Sequence, residues 1–370
     1  MKPFELVNRR RFSASAACLA VFFSGAGKAT EPGERSDSGK FGALDRPAQA
    51  VRYPEKCVML AVTQAGKRLV AVGERGVAIL SDDAGRSWRQ AKSVPVSTTL
   101  TAVGFSDSQN GIAVGHGGVI LVTRNRGESW QLAADGRKLA SLAQSAAQSR
   151  QMAGDRAAAA LLKESALLMQ DGPDKPLLDL VILGPQRAAV VGAYNLFFET
   201  TDGGVTWTSA LDRLDNPKSQ HLYAIRAHGP VWMIAGEQGL LLRSTDAGRS
   251  FQVLTSPYEG SWFTLAVTPE GGWVVAGLRG NAYFSQDAGS SWHKLAGAPP
   301  VSFVSALALP DGSVVLANQA GELFTARNGS SLQAMDLPTL SPLSQVAVMA
   351  GGDVVTVGMG GTSRLEAKKP

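Results

Sequence analysis

One eight-residue string returns through this chain at a nearly constant interval. "SDDAGRSW" starts at Ser81, "TRNRGESW" at Thr123, "TTDGGVTW" at Thr200, "STDAGRSF" at Ser244 and "SQDAGSSW" at Ser285. The starts are 42, 77, 44 and 41 residues apart, and a worn copy, "TARNGSSL", begins at Thr325. A second string precedes each copy: "GERG" at Gly73, "GHGG" at Gly115, "GAYN" at Gly192, "GEQG" at Gly236 and "GLRG" at Gly277. It continues as "NQAG" at Asn318 and "GMGG" at Gly358. Seven units of one pattern restrict the chain to architectures that repeat a single supersecondary motif.

Each unit reads as four short strands. In the second, "LTAVGFS", "GIAVG", "VILVT" and "WQLA" are apolar, β-rich runs separated by "DSQN", "HGG" and "RNRGES". Such runs, punctuated by Gly, Asn and Asp, are strand-and-turn signals. Four strands in about 40 residues make a propeller blade. The expected fold is therefore all-β: a seven-bladed β-propeller with four-stranded blades over residues 46–366. The recurring string spans the hairpin between third and fourth strands. Its acid (Asp83, Asp202, Asp246, Asp287) is placed to accept backbone N–H bonds inside the turn. The Gly two residues on suits a positive φ. The aromatic (Trp88, Trp130, Trp207, Trp292, and Phe251 in the fourth copy) is placed to bury its ring between blades. This is the Asp-box, or BNR, repeat in a structural role. The seventh unit shows only three strands, and an open sheet edge is a liability. The segment "RPAQAVRYP", Arg46–Pro54, is expected to supply the missing strand and fasten the ring.

The interval of 77 is about 36 residues too long. The excess, "RKLASLAQSAAQSRQMAGDRAAAALLKESALLMQ", is rich in Ala, Leu, Gln and Lys and lacks Pro. Leu139, Leu142, Ala146, Ala158, Leu161 and Leu168 fall at helical spacings, with a break at Gly154-Asp155. A helical hairpin is expected within residues 134–175, packed on its own propeller or on a partner. Residues 1–29 read as a leader: three arginines at 9–11, an apolar run from Phe12 to Phe23, then small residues to Ala29. "RRRF" resembles a twin-arginine export signal, so a periplasmic product is expected, with residues 30–45 as a linker. The chain carries a net charge of +5, of which the leader contributes +4. The remainder is nearly neutral, which gives no reason to expect nucleic acid as a partner. Past the leader Cys57 is the one cysteine, so an intrachain disulfide is not expected. No apolar run suits a membrane span in the mature chain.

No sign of chemistry stands out. Among the four histidines, His221 and His228 are seven apart, so a strand turns them to opposite faces. No metal or cofactor is expected. The stronger lead is geometric. In a four-stranded blade the second-to-third turns share one end with the blade-to-blade connections. The G-x-x-G turns therefore ring one end of the central channel and present Glu74, Arg75, His116, Tyr194, Glu237, Gln238, Arg279, Gln319 and Met359 there. The loop Leu211–His221 emerges at the same end. Convergent polar groups at such a mouth suit a ligand or protein partner.

The linkage of "GERG" to "ILSDDAGRSW", repeated around seven units, resembles the photosystem II stability and assembly factors, especially relatives in non-photosynthetic proteobacteria. The resemblance covers roughly residues 46–366, less the helical insertion. It implies a propeller without catalysis that acts outside the cytoplasm in membrane-protein assembly, with a protein partner. Arginines of the "GxRG" turns form a basic patch in that family; here only Arg75 and Arg279 match, and His116-Gly117, Tyr194 and Gln238 depart from it. The competing class is an exported sialidase-like glycosidase, which shares fold and Asp boxes. Such an enzyme needs an arginine cluster, a nucleophile and an acid; Arg75, Arg279, Tyr194, Glu74 and Glu237 are the available groups, with no third arginine on a strand.

Overall fold

The structure, a computed structural model, describes residues 42–366. The expected leader and most of the linker lie outside the described residues. Seven antiparallel sheets follow one another along the chain, each with its strands in sequence order. The first strands are Met59–Ala65, Leu100–Phe105, Leu177–Ile182, Leu222–His228, Trp262–Val267, Phe303–Ala308 and Leu343–Val348. Each neighbours the next, and the last neighbours the first, which closes a seven-bladed ring around a central channel. The second strands are buried along nearly their whole length, as in Leu69 to Val72 and Trp273 to Ala276, as expected of strands covered on both faces by adjoining blades.

The core lies between blades, and the Asp-box aromatics are part of it. Trp130 packs with Val70 and Leu80 of the preceding blade. Trp207 packs with Ile112 and Val122, and Phe251 with Val191 and Phe197. Trp88 and Trp292 sit at the margins of their clusters, half-buried. Within the hairpin, Asp83 Oδ1 accepts from Ser87 N at 2.9 Å and Oδ2 from Ser87 Oγ at 2.5 Å, while Gly85 N donates to Ser81 Oγ at 2.8 Å. Gly85 has φ 85°. Asp202, Asp246 and Asp287 repeat this arrangement. In the second blade Asn125 takes the acid's place: its Oδ1 accepts from Ser129 N at 3.0 Å, and its Nδ2 donates to Ser129 Oγ at 2.8 Å.

These bonds favour the ionised acid. The Ser87 hydroxyl, then its backbone N–H, holds Asp83 down to about 2; Thr206 and Ser291 do the same for Asp202 and Asp287, each at about 2. Asp246 is lowered too, chiefly by Ser244. A carboxylate depressed in the folded state stabilises it above the ordinary value near 4, and that contribution disappears as pH falls through 2. Replacing all four by Asn, as the second blade already does, should therefore flatten the fall in melting temperature between pH 4 and pH 2. Parallel pH profiles for parent and variant would contradict this.

Ring closure differs from the expectation. Arg46–Pro54 forms no strand, and the seventh sheet has three strands where the others have four. The segment lies instead along the first blade: Ala48 N donates to Val94 O at 3.0 Å, and Val51 N to Gln90 Oε1 at 2.9 Å. Pro47 and Pro54 lack the N–H a ladder needs. Closure is made by side chains. Val355 and Val357 of the last blade pack on Met59, Leu69 and Ile79 of the first, and Val62 N donates to Gln345 Oε1 at 2.7 Å. A Cβ on Gly361 would stand 2.1 Å from Glu55 O. The equivalent Gly76 and Gly280 lie equally close to Val96 O and Pro299 O, in the connections to their next blades. Glu55 thus stands where a blade-to-blade connection runs. The absent fourth strand costs little, because the outer strands elsewhere are as short as Arg89–Gln90 and Gln252–Val253.

The insertion forms helices α1 (Gly136–Met152) and α2 (Ala158–Asp171). Asp135 caps α1 by accepting from Arg137 N and Lys138 N. Leu139, Ala140 and Ala143 of α1 and Leu168 of α2 join the cluster between the second and third blades, with Leu142 and Leu161 against its edge. The hairpin packs on its own propeller. No helix among the described residues is long and apolar enough to cross a membrane.

Candidate functional site at the propeller mouth

The seven G-x-x-G turns share one backbone construction. The residue after the first Gly donates its N–H to the carbonyl just ahead of its own blade's inner strand: Glu74 to Val58, His116 to Thr99, Ala193 to Pro176, Glu237 to His221, Leu278 to Ser261, Gln319 to Ser302 and Met359 to Pro342, all at 2.8–3.0 Å. The first Gly permits that approach; a Cβ on Gly277 would stand 2.2 Å from Ser261 O. In five of the seven turns the next residue is left-handed: Arg75, Tyr194, Gln238 and Arg279 have φ of 53°, 53°, 52° and 57°, with Gly117 at 71° in the second blade. Three of them are tied to the following blade. Tyr194 N donates to His221 Nδ1 at 3.0 Å, Gln238 N to Ser261 Oγ and Arg279 N to Ser302 Oγ, both at 3.3 Å.

The left-handed region costs a non-glycine residue roughly 1–2 kcal/mol. On the opposite end, the Asp-box hairpins fill the same geometry with Ala84, Ala247 and Ala288, and with Arg126. At the mouth it is filled by Arg, Tyr, Gln and Arg, all exposed. The backbone of these turns is held by neighbours, so the long side chains are not what holds it.

The remaining expected residues divide by what they touch. Glu74 Oε1 accepts from Val58 N at 3.1 Å and Glu237 Oε2 from His221 N at 3.3 Å; both are half-buried and hold the turn to the inner strand. Glu74 Oε2 also stands 3.9 Å from Arg75 Nε. His116 and Gln319 are exposed on their turns, as is Met359. His221 joins the third and fourth blades, as above, and its ring begins an edge-to-face series. Tyr194 lies 4.5 Å from His221, His221 6.2 Å from Tyr223, and Tyr223 5.4 Å from Phe263, centroid to centroid. Lys175 Nζ stands 5.0 Å over the Tyr194 ring and pairs with Asp171 and Asp174. The series runs from the rim into the channel on the third to fifth blades.

The channel itself holds a cavity of about 390 Å³ lined by inner-strand residues, among them Thr101, Asp179, Tyr223, Arg226, Phe263 and Gln345. Its two charges neutralise each other: Asp179 Oδ2 accepts from Arg226 Nη1 at 2.5 Å and from Ile225 N at 2.9 Å. Sequence reasoning missed this pair, although a lone acid in "LLDLVI" and a lone base in "LYAIRAH" marked both strands. A second recess, about 460 Å³, opens between α2 and the loop after the third blade and is lined by Leu161, Leu167, Leu214 and Pro217. Burial raises Glu164 on its floor, and its contact with Asn195 opposes the shift. Among the described residues no three His, Cys, Asp or Glu side chains group as metal ligands.

The resemblance read from the repeats is borne out. The family described as photosynthesis system II assembly factor YCF48 matches residues 169–326. The photosystem II assembly lipoprotein Ycf48 of Synechococcus sp. (strain CC9902) is 34% identical over 74 residues. That stretch is 20% of this chain and 22% of the relative's length. Among solved structures, YCF48 bound to a D1 peptide matches with a TM-score of 0.60 at 16% identity, covering 86% of this chain and 97% of its own. YCF48 from Cyanidioschyzon merolae gives 0.60 at 12% identity, covering 83% and 94%. The WD40 β-propeller domain of Doa1 matches equally well, 0.60 at 12% identity over 88% and 97%. At such identities structural likeness establishes the propeller and leaves function to the site.

Proposed function

We propose that this chain is a non-catalytic, exported propeller that binds a segment of a membrane or periplasmic protein at its mouth and serves as an assembly scaffold. The observation that carries this reading is the set of exposed Arg75, Tyr194, Gln238 and Arg279 side chains at left-handed positions. The same left-handed geometry at the opposite end is filled mostly by Ala, so the turn itself does not require the long, exposed side chains found at the mouth. Guanidinium forks, an amide and an aromatic are side chains that anchor protein interfaces. The solved YCF48 bound to a D1 peptide supports the same reading, because that propeller holds a protein segment.

The glycosidase alternative has less to build on. Glu74 and Glu237 are engaged with backbone N–H groups, Asp179 is paired with Arg226 and Tyr194 packs between Lys175 and His221. Asp179 is the one carboxylate among the residues lining the channel cavity, and Arg226 engages it.

Export rests on the sequence of residues 9–29. Replacing Arg9 and Arg10 by Lys should leave uncleaved precursor in the cytoplasm, read by fractionation and mass; unchanged export would exclude the twin-arginine route. Binding is tested by immobilising the chain and recovering periplasmic and detergent-solubilised proteins. The proteins retained by the parent should be lost from a variant with its mouth side chains removed.

A further inference from the structure

The segment ahead of the first blade builds a rigid recess that the mouth reading does not use. Ser97 N donates to Ala43 O at 2.8 Å, Ala48 N to Val94 O at 3.0 Å, and Gln90 Nε2 to Gln49 O at 2.8 Å. Between this pinned segment and the blade lies a cavity of about 500 Å³, lined by Arg46, Arg52, Arg75, Gln49, Ser97 and apolar walls that include Val77. No carboxylate lines it. Asp45 pairs with Arg137 at 2.9 Å, and Glu74 holds Val58 N, its other oxygen 3.9 Å from Arg75. Arg46 Nε donates to Gly42 O at 2.9 Å, and the Arg52 guanidinium lies 5.1 Å over the Tyr53 ring. Neither contact neutralises its charge.

Arg46 and Arg52 have no carboxylate partner among the described residues, and Arg75 has only the long 3.9 Å contact to Glu74, so an anion entering the recess meets two guanidiniums without a counter-charge and a third that is weakly paired. Guanidinium forks bind carboxylate and phosphoryl oxygens in pairs. A carboxylate brings one charge and two oxygens; a phosphate monoester brings up to two charges and three terminal oxygens. Three arginines match the second better. We propose that this recess binds a phosphate monoester, carried by a soluble compound or by a phospholipid headgroup. The site is separate from the mouth reading and does not rest on it, although Arg75 borders both.

The test uses the full chain and two probes, both phosphate monoesters: glycerol phosphate by calorimetry, and flotation with vesicles containing phosphatidic acid against phosphatidylcholine alone. The expected result is saturable single-site binding, weakened at least about tenfold by Arg46→Ala/Arg52→Ala and by an intermediate factor in Arg46→Lys/Arg52→Lys, which keeps charge and loses the fork. Both pairs are exposed, so melting temperature should hold. Binding of glycerol phosphate alone assigns a soluble compound; selective flotation with phosphatidic acid assigns a headgroup. The proposal is overturned if neither probe binds saturably, or if the Ala pair binds as the parent does. Protein capture by the Ala pair should match the parent, so failure here and failure of the mouth reading give different results.

Discussion

Trp207→Ala should destabilise the propeller by about 3–5 kcal/mol, the usual cost of truncating a large aromatic in a packed core. Trp207 is 4% exposed and sits between the second and third blades, in one cluster with Ile112, Val122 and, from α1, Leu139 and Ala143. Its Nε1 donates to Gly204 O at 3.3 Å, within its own Asp-box. Truncation removes transfer energy, leaves a cavity and frees that carbonyl. Against a typical total stability of about 5–15 kcal/mol, this is a large share. Trp292 gives the control. It is half-buried, and its Nε1 is buried without an acceptor. Trp292→Phe should therefore be neutral or stabilising, since an unsatisfied donor is removed, whereas Trp207→Phe should cost about 1 kcal/mol. Urea titrations of the three variants check this; a Trp207→Ala midpoint matching the parent would remove the Asp-box aromatic from its assigned role.

The blades were legible because their signals are local. A string that must turn within a few residues fixes Asp, Gly and aromatic at set positions, and each copy reports its own blade. The helical hairpin was legible for a similar reason: its Leu and Ala spacing changed from the strand pattern around it, and Gly154, at φ 78°, marked the break. The closure was misread because it is not local. The idea of a fourth strand treated every outer strand as necessary, yet most are two-residue pairings, and the prolines at 47 and 54 already argued against a ladder. The mouth was legible only by position. That Glu74 and Glu237 would turn back to the backbone, while their neighbours Arg75 and Gln238 turn outward, depends on a left-handed residue that no sequence rule assigns to Arg or Gln. The Asp179–Arg226 pair was hidden because its partners lie 47 residues apart.

The mouth variant Arg75→Gly/Gln238→Gly/Arg279→Gly should separate folding from binding by moving them in opposite directions. Glycine relieves the left-handed strain, roughly 1–2 kcal/mol per position. It gives back about 0.5–1 kcal/mol in chain entropy. The Arg75–Glu74 ion pair, which the variant removes, is long at 3.9 Å and its arginine is exposed, so it contributes little. The net change in stability is therefore zero to slightly positive. Binding should fall steeply, because truncating an interfacial arginine commonly costs about 2 kcal/mol or more, and two are removed at once. A structural role for these side chains would give the reverse pattern, with a lowered melting temperature and unchanged binding. The measurement is a melting curve of the variant paired with quantitative mass spectrometry of the proteins it retains from periplasmic and solubilised membrane fractions. The mouth account predicts a melting temperature equal to or above the parent's and at least a roughly thirtyfold loss of the retained partner; equal retention by a normally folded variant would contradict it.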